Sequence, residues 1–346
     1  GWVDFIVPAD KPYPMEPLFT RDPQFIKDAD ILMGMMVIKG IYAKHGVQSL
    51  NHGIGFNGAA IELLLPTYGE QLGLKGKICR NWVLNPHPTL IPAIEAGWVE
   101  SVCAFGGEVG MEKYTEERSD IFFTGADGTL RSNRTLAQVA GLYAIDSFLG
   151  ATLQMDYYGN SSTVTAGRLS GFGGAPNMGH NPGGRRHSSP AYHSLVEGKD
   201  TLHGGQKIVI QMLKSSGKKG NNFVPELDAI AIGRDAGMEA PPIMVYGEDV
   251  SHTVTEQGIA YCYMAEDAEE RRLMLASIAQ GTPFGEMVTK EQIEAFRKAG
   301  KVAYPEDLGI DRAMATKDLL ACKTLEEIAE CSGGLYVVPE KFRKKD

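Results

Sequence analysis

From Val47 onward the sequence repeats one local pattern: a short apolar run, then a longer stretch with apolar residues at helical spacing. Val47–Ile54, Ile78–Leu84, Val99–Phe105, Ile121–Thr124 and Thr152–Met155 read as strands. Ala59–Leu72, Leu90–Ala96 and Thr135–Phe148 read as the helices between them. Strands separated by helices cannot be joined as hairpins, and a crossover helix brings the next strand back in parallel. The expected fold is therefore α/β, an open, largely parallel sheet with flanking helices. Further on, Lys207–Met212, Ala229–Ile232 and Pro242–Tyr246 read as strands, and Glu266–Ala279 and Lys323–Glu330 as helices. Asp22-Pro23 suits a helix start, because proline is tolerated at the first helical position, and Gln24 to Ala43 carries helical periodicity. The prolines at 8, 12, 14, 17 and 23 mark the preceding stretch as an extended arm. The division expected is a linker arm over 1–23 and one domain over 24–346. Ser170–Gly205 and Ser215–Asn222 read as loops.

Composition narrows the function. A chain of 346 residues with 43% hydrophobic residues can bury a large core. Its net charge of −9 argues against general nucleic-acid binding, which needs a basic surface. No apolar run is long enough for a membrane span, and no secretory leader opens the sequence. The first residue is Gly1 rather than Met, which suggests the chain begins partway through a longer product. Five scattered cysteines without a C-x-x-C pair suit reduced thiols and a cytoplasmic location. The histidines show no metal-ligand spacing, so no metal is expected.

Several glycine-rich segments carry candidate chemistry. Gly53-Ile54-Gly55-Phe56-Asn57-Gly58 follows a strand and opens a helix, the context of a phosphate-binding turn. The acidic residue that a dinucleotide site places at the end of the next strand is missing, since Ile78-Cys79-Arg80-Asn81 holds none. A strand-loop-helix site for another anionic or thioester ligand fits better, and a plain tight turn is the bland alternative. Gly167–Gly179 is denser. Its backbone N–H groups can form an anion nest or hold the oxyanion of a thioester; a glycine-rich surface loop is the alternative. Arg185, Arg186 and His187 follow, suited to a dicarboxylate or phosphate partner or to plain solvation. Asn85 and His87 stand just past the second strand, where open α/β sheets meet their ligands.

Taken together these segments resemble the CoA-transferase fold. Leu50–Gly55 is similar to its first strand-loop, Gly167–Met178 to its Gly-Gly-Ala loop, Val254–Ala260 to its late Val-Thr-Glu segment, and Ser332–Tyr336 to its closing segment. Within that superfamily Glu16–Pro23, Asn85–Pro92, Phe123–Gly128 and Gly159–Thr163 resemble the malonate decarboxylase α subunit, nearly throughout the chain. The resemblance implies the second of two CoA-transferase-like domains, with the first absent. It implies a transferase that replaces acetate by malonate on the thiol of an acyl carrier protein, acetyl-S-ACP giving malonyl-S-ACP. No tightly bound cofactor is implied; the substrate thiol is a dephospho-CoA-derived prosthetic group on the carrier, or CoA. The implied partners are the carrier, the missing amino-terminal domain, the other malonate decarboxylase subunits, malonate and acetate.

Many CoA transferases place a catalytic Glu after the second strand, but Cys79 to Pro88 contains no acid. Direct attack by the malonate carboxylate in a ternary complex is therefore expected, with Glu108 as the fallback nucleophile. Gly173, Gly174, Asn85 and His87 are the other catalytic candidates. Asn51, Gly53, Gly55, Arg168, Ala175, Arg185 and Arg186 are the substrate-binding candidates. A citrate-lyase-like α subunit, a free CoA transferase, and a non-catalytic carrier-binding fragment are the alternatives.

Overall fold

The computed structural model describes residues 4–8, 10–11, 17, 21–104, 106–124, 145–165, 168–169, 178–180, 190–195, 205–218, 220–242 and 244–343. Its frame is an eight-stranded sheet. In chain order the strands are β1 (Ser49–His52), β2 (Asn81–Val83), β3 (Ser101–Cys103), β4 (Ser147–Ala151), β5 (Ile208–Met212), β6 (His252–Val254), β7 (Ile259–Ala260) and β8 (Val302–Ala303). Their spatial order is β8-β7-β6-β5-β4-β1-β2-β3. The six strands from β3 to β6 run parallel. β7 and β8 close one edge in antiparallel pairing.

The order locates a site. From β1 the chain moves outward through β2 to β3, then returns to place β4 on the other side of β1. The connections after β1 and β4 thus leave in opposite directions. At such a switch point a crevice opens outside the carboxyl ends of the two strands.

Helices α1 (Asp28–Val37) and α2 (Phe56–Leu64) pack together beside the sheet. Ile31 to Val37 and Asn57 to Leu64 are buried without a break, as expected of helices apolar on all sides. Gly34 allows the approach: a Cβ there would lie 2.8 Å from Leu64 Cδ1. Each buried Leu or Ile contributes roughly 1.5–3 kcal/mol of transfer free energy. Asp22 caps a single turn at Pro23–Phe25, accepting from the Gln24 N–H at 2.9 Å. Continuous helix begins only at Asp28, where the Asp30 carboxylate accepts from the Lys27 N–H at 3.0 Å.

The parallel β/α frame matches the expectation, with local corrections. Ala229–Asp235 is a helix, not a strand, because the Asp228 carboxylate accepts from the Ile230 and Ala231 N–H groups and caps it. The predicted helix Thr135–Phe148 lies mostly outside the described residues, and its last two residues belong to β4. Thr152–Met155 straddles a gap between β4 and a separate short strand, Gln154–Asp156, which pairs with Phe223–Val224 and Ser161–Ser162. Ile121–Thr124 and Pro242–Tyr246 each supply one isolated bridge, Phe122 to Val102 and Val245 to Ser161. Ser215–Asn222 is a hairpin. The Gly159–Thr163 segment has a structural reason: Asp156 accepts from the Tyr158 and Asn160 N–H groups and from the Asn160 amide, tying a tight turn. All five cysteines are free thiols. No helix among the described residues is long and apolar enough to cross a membrane.

Candidate active site

A cleft of about 450 Å³ opens at the switch point. Its walls come from the carboxyl ends of three adjacent strands: Ile54–Asn57 after β1, Ala151–Leu153 after β4, and Met212–Lys214 after β5. Phe25 and Lys27, from the turn ahead of α1, complete it. The lining mixes apolar residues with six polar or charged ones, Lys27, Asp30, Asn57, Thr152, Lys214 and Asn222. Most of those polar groups are committed to the protein. Thr152 donates to backbone carbonyls and Asn222 to Lys214 O. Asp30 holds Lys214 Nζ at 3.1 Å as well as the Lys27 N–H.

Gly55 sets the distance between two walls. A Cβ built on it would fall 2.5 Å from the Ala151 Cβ, so the β1–α2 loop touches the end of β4 without room for a methyl group. Gly55→Ala is expected to cost about 1–3 kcal/mol, the usual range for overpacking. Thermal unfolding checks this; an unchanged midpoint would mean the two walls can part freely.

Beneath the loop lies a buried polar network centred on Glu62. This carboxylate sits in the last turn of α2 and is 0% exposed. Its Oε1 accepts from His52 Nδ1 at 3.1 Å and His87 Nδ1 at 2.9 Å. Its Oε2 accepts from Arg21 Nη1 at 3.4 Å and from the Thr89 hydroxyl. The Arg21 Nη2 donates to Gly53 O at 3.3 Å and to His87 Nε2 at 3.2 Å. Tyr42 donates its hydroxyl to His52 Nε2 at 2.9 Å.

The network fixes its own protonation. A guanidinium only donates, so His87 Nε2 accepts and Nδ1 carries the proton. Burial, then the Arg21 charge, lowers the His87 pKa to about 4 against the pull of Glu62, so the ring is neutral at pH 7. For Glu62, burial acts to raise the pKa, but His87, Arg21 and the hydrogen bonds from both histidines outweigh it and hold the carboxyl well below its usual range. Burial, reinforced by Cys79 and Glu62, pushes the Tyr42 hydroxyl well above its usual value, so it keeps its proton. A positive Arg21 and a negative Glu62 therefore share one enclosed site, with the neutral His87 ring oriented between them.

The candidates from sequence fall into four groups. Gly55 lines the cleft. Gly53, Asn51 and His87 lie behind it: Gly53 O receives Arg21, the Asn51 amide donates to Val83 O and ties β1 to β2, and His87 has both nitrogens occupied within the network. His87 is thus a core histidine in this conformation, contrary to the reading of it as a cleft residue, because the turn at Pro86–Pro88 aims its ring inward at Glu62. Asn85 is half-buried, with its Oδ1 against Gly106, and Glu108 is buried within electrostatic reach of Arg21 and Tyr336. Gly173, Gly174, Ala175, Arg185, Arg186 and the Arg168 side chain lie outside the described residues.

The sequence reading missed Arg21, Tyr42, Asn57, Glu62 and Thr89. Glu62 had a signal: it is the one carboxylate within the apolar run Ala59-Ala60-Ile61-Glu62-Leu63-Leu64-Leu65. A lone acid on a helix that is apolar all round must be buried, and a buried acid needs partners.

The chain matches the family model described as malonate decarboxylase, alpha subunit, transporter, over residues 1–345. It is 51% identical, over 99% of its length, to the acetyl-S-ACP:malonate ACP transferase of Malonomonas rubra. It superposes with a TM-score of 0.91 and 58% identity, over 99% of its length, on a chain of a Pseudomonas malonate decarboxylase hetero-tetramer in complex with malonate. The malonate decarboxylase alpha subunit from Acinetobacter baumannii gives the same TM-score, identity and share of this chain. The chain spans 63% of the Malonomonas relative, 63% of the Pseudomonas chain and 64% of the Acinetobacter chain.

Proposed function

The chain belongs to the malonate decarboxylase alpha-subunit family, and from this we propose that it forms part of an acyl-carrier-protein transferase that exchanges acetate for malonate on a carrier thiol. The observation that carries the reading is its 51% identity, over 99% of its length, with the Malonomonas acetyl-S-ACP:malonate ACP transferase. The cleft supports it. A crevice of mixed apolar and polar lining with a helix N-terminus at one wall suits a thioester arm and a small acid.

In the proposed reaction a malonate carboxylate oxygen attacks the acetyl thioester carbon. The C–S bond breaks, and the electron pair leaves on the carrier sulfur as thiolate. The thiolate then attacks the malonyl carbonyl of the mixed anhydride, and acetate departs. Charge and protons balance without an external acid or base, so proximity and oxyanion stabilisation supply most of the rate. The acids described around the cleft fit this route. Asp30 is tied to Lys214 and the Lys27 N–H, and Glu62 is enclosed. Gly173, Gly174 and Ala175 are the proposed backbone donors to the thioester oxygen, and Arg168, Arg185 and Arg186 the proposed holders of the distal carboxylate. Glu108 is the alternative nucleophile. The carrier, the remaining part of the longer relatives and the other decarboxylase subunits are the proposed partners, in the cytoplasm.

The test mixes the chain, alone and together with the portion of the longer relatives that it does not span, with acetyl-carrier or acetyl-CoA and labelled malonate or citrate. Label is expected on the carrier thiol from malonate. Label from citrate alone would replace this reading by the citrate-lyase-like one, and carrier binding with no exchange would leave a docking fragment. Hydroxylamine or borohydride trapping is expected to yield no acyl-glutamyl adduct; an adduct on Glu108 would overturn direct attack.

A further inference from the structure

One buried polar side chain on the cleft is uncommitted among the described residues. Asn57 is 8% exposed, lines the cleft, and its amide makes no hydrogen bond among the described residues. The amide atoms are not fully enclosed, and polar groups on so buried a side chain ordinarily have a partner. The partner missing here lies on the open side, in the cleft. Asn57 is also the second residue of α2, a nine-residue helix whose N-cap is Gly55 and which has no side-chain cap. The positive end of the helix dipole therefore meets the same space as the amide. The other described polar side chains of the wall do not compete for a ligand, since Thr152, Asn222 and Asp30 are bonded within the protein. Lys27 is exposed on the cleft and adds positive potential, while Lys214 is paired with Asp30 on the same wall.

We infer that the Asn57 amide and the N-terminus of α2 form an anionic-oxygen subsite that takes a carboxylate of the small acid substrate. The identity of that acid as malonate rests on the transferase reading; the anion subsite does not. The amide nitrogen donates to the carboxylate oxygen, and the helix terminus stabilises its charge. In the exchange, this would hold the distal carboxylate together with the arginines proposed for it, while the other carboxylate faces the thioester arm along the apolar wall of Phe25, Ile54 and Leu213.

Asn57→Asp tests this directly. It is nearly isosteric and places an acid in the first turn of α2, which favours the helix, so folding is retained. It removes the donor and repels an anion. Calorimetric titration of the 346-residue chain with malonate, acetate and inorganic phosphate reads the effect. Malonate affinity is expected to fall about tenfold to hundredfold in Asn57→Asp, the loss of a charge-assisted hydrogen bond, with an unchanged thermal midpoint. Asn57→Ser, which keeps a shorter donor, is expected to lie between the two. Equal malonate affinity in the wild type and Asn57→Asp would overturn the subsite, and so would a wild type that binds none of the three anions. Phosphate binding without malonate binding, weakened in Asn57→Asp, would uphold the subsite and remove malonate as its ligand.

Discussion

Glu62→Gln is expected to lower the stability of the chain by about 3–5 kcal/mol, the cost of leaving one member of a buried ion pair without its partner. The substitution keeps the shape of the side chain, so the loss reports charge and hydrogen bonding rather than a cavity. Four donors converge on this carboxylate, from His52, His87, Arg21 and Thr89. A glutamine has one oxygen to offer them, and its NH2 group would face donors. Arg21, 2% exposed, would retain its charge with no counter-ion at hydrogen-bonding distance. The damage should reach the cleft, because the same guanidinium holds Gly53 O at the root of the β1–α2 loop. Arg21→Met/Glu62→Gln removes the orphaned charge and is expected to recover part of the loss, while both histidines still lack a full acceptor. Urea unfolding of the two single variants and the double variant gives the coupling. A Glu62→Gln protein within ~1 kcal/mol of wild type would mean the network is only loosely enclosed, which the geometry contradicts.

Much of the frame was legible because it depends on local rules. The runs around Leu50, Trp82, Val102 and Ile210 are apolar and short, and each is followed or preceded by a helical stretch. What failed was local in another way. Ala229-Ile230-Ala231-Ile232 has the composition of a strand, but Asp228 immediately before it supplies an N-cap, and the capped helix wins. Ser147–Ala151, the strand at the centre of the sheet, was hidden at the end of a helical-looking run. Its sequence, Ser-Phe-Leu-Gly-Ala, carries little strand propensity, and its place is dictated by pairing on both sides with β1 and β5.

The site was legible in position more than in role. Strand-end logic singled out Asn51, Gly53, Gly55, Asn85 and His87; of these Gly55 lines the cleft, which opens at the ends of β1, β4 and β5 and not at the end of β2. It could not tell which side chains face the ligand and which face inward. His87 between two prolines looked like a loop residue, but its partner Glu62 is 25 positions away and Arg21 is 66 positions away. Such contacts come from tertiary packing of the arm before α1 against α2, which no local pattern encodes. Asn57 lies within the Gly53–Gly58 motif, whose glycines account for the turn without it.

The second large effect is acid destabilisation. His87 and His252 are buried and held neutral: burial and the Arg21 charge lower His87 to about 4, and burial with His45 and Lys44 lowers His252 well below its ordinary value. His252 makes its contact through Nδ1 to Ser251 Oγ at 2.8 Å, sits 5.2 Å from the His45 ring edge-on, and is boxed by Tyr261 and Tyr263. In the unfolded chain a histidine takes up its proton near pH 6.5. Between that pH and the folded values the unfolded state binds more protons, so stability rises with pH and is lost on acidification. The stabilisation is complete above about pH 6.5, and for His87 it declines down to about pH 4. Each buried histidine contributes a slope of up to ~1.4 kcal/mol per pH unit. Two such groups acting over two pH units remove a large part of the ~5–15 kcal/mol that stabilises a typical domain. Glu62 adds to the loss only at lower pH, since its contribution is present above the ordinary carboxylate value and disappears as pH falls through its own depressed one. Thermal midpoints measured from pH 7.5 to 4.5 are expected to fall most steeply below pH 6.5. His252→Phe keeps the ring volume inside the tyrosine box and leaves Ser251 bonded to Val209, so it should flatten the acid slope by up to one histidine's share. A flat stability profile from pH 7.5 to 5 in the wild type would mean that the buried rings reach solvent, and the enclosed network would have to be redrawn as an open one.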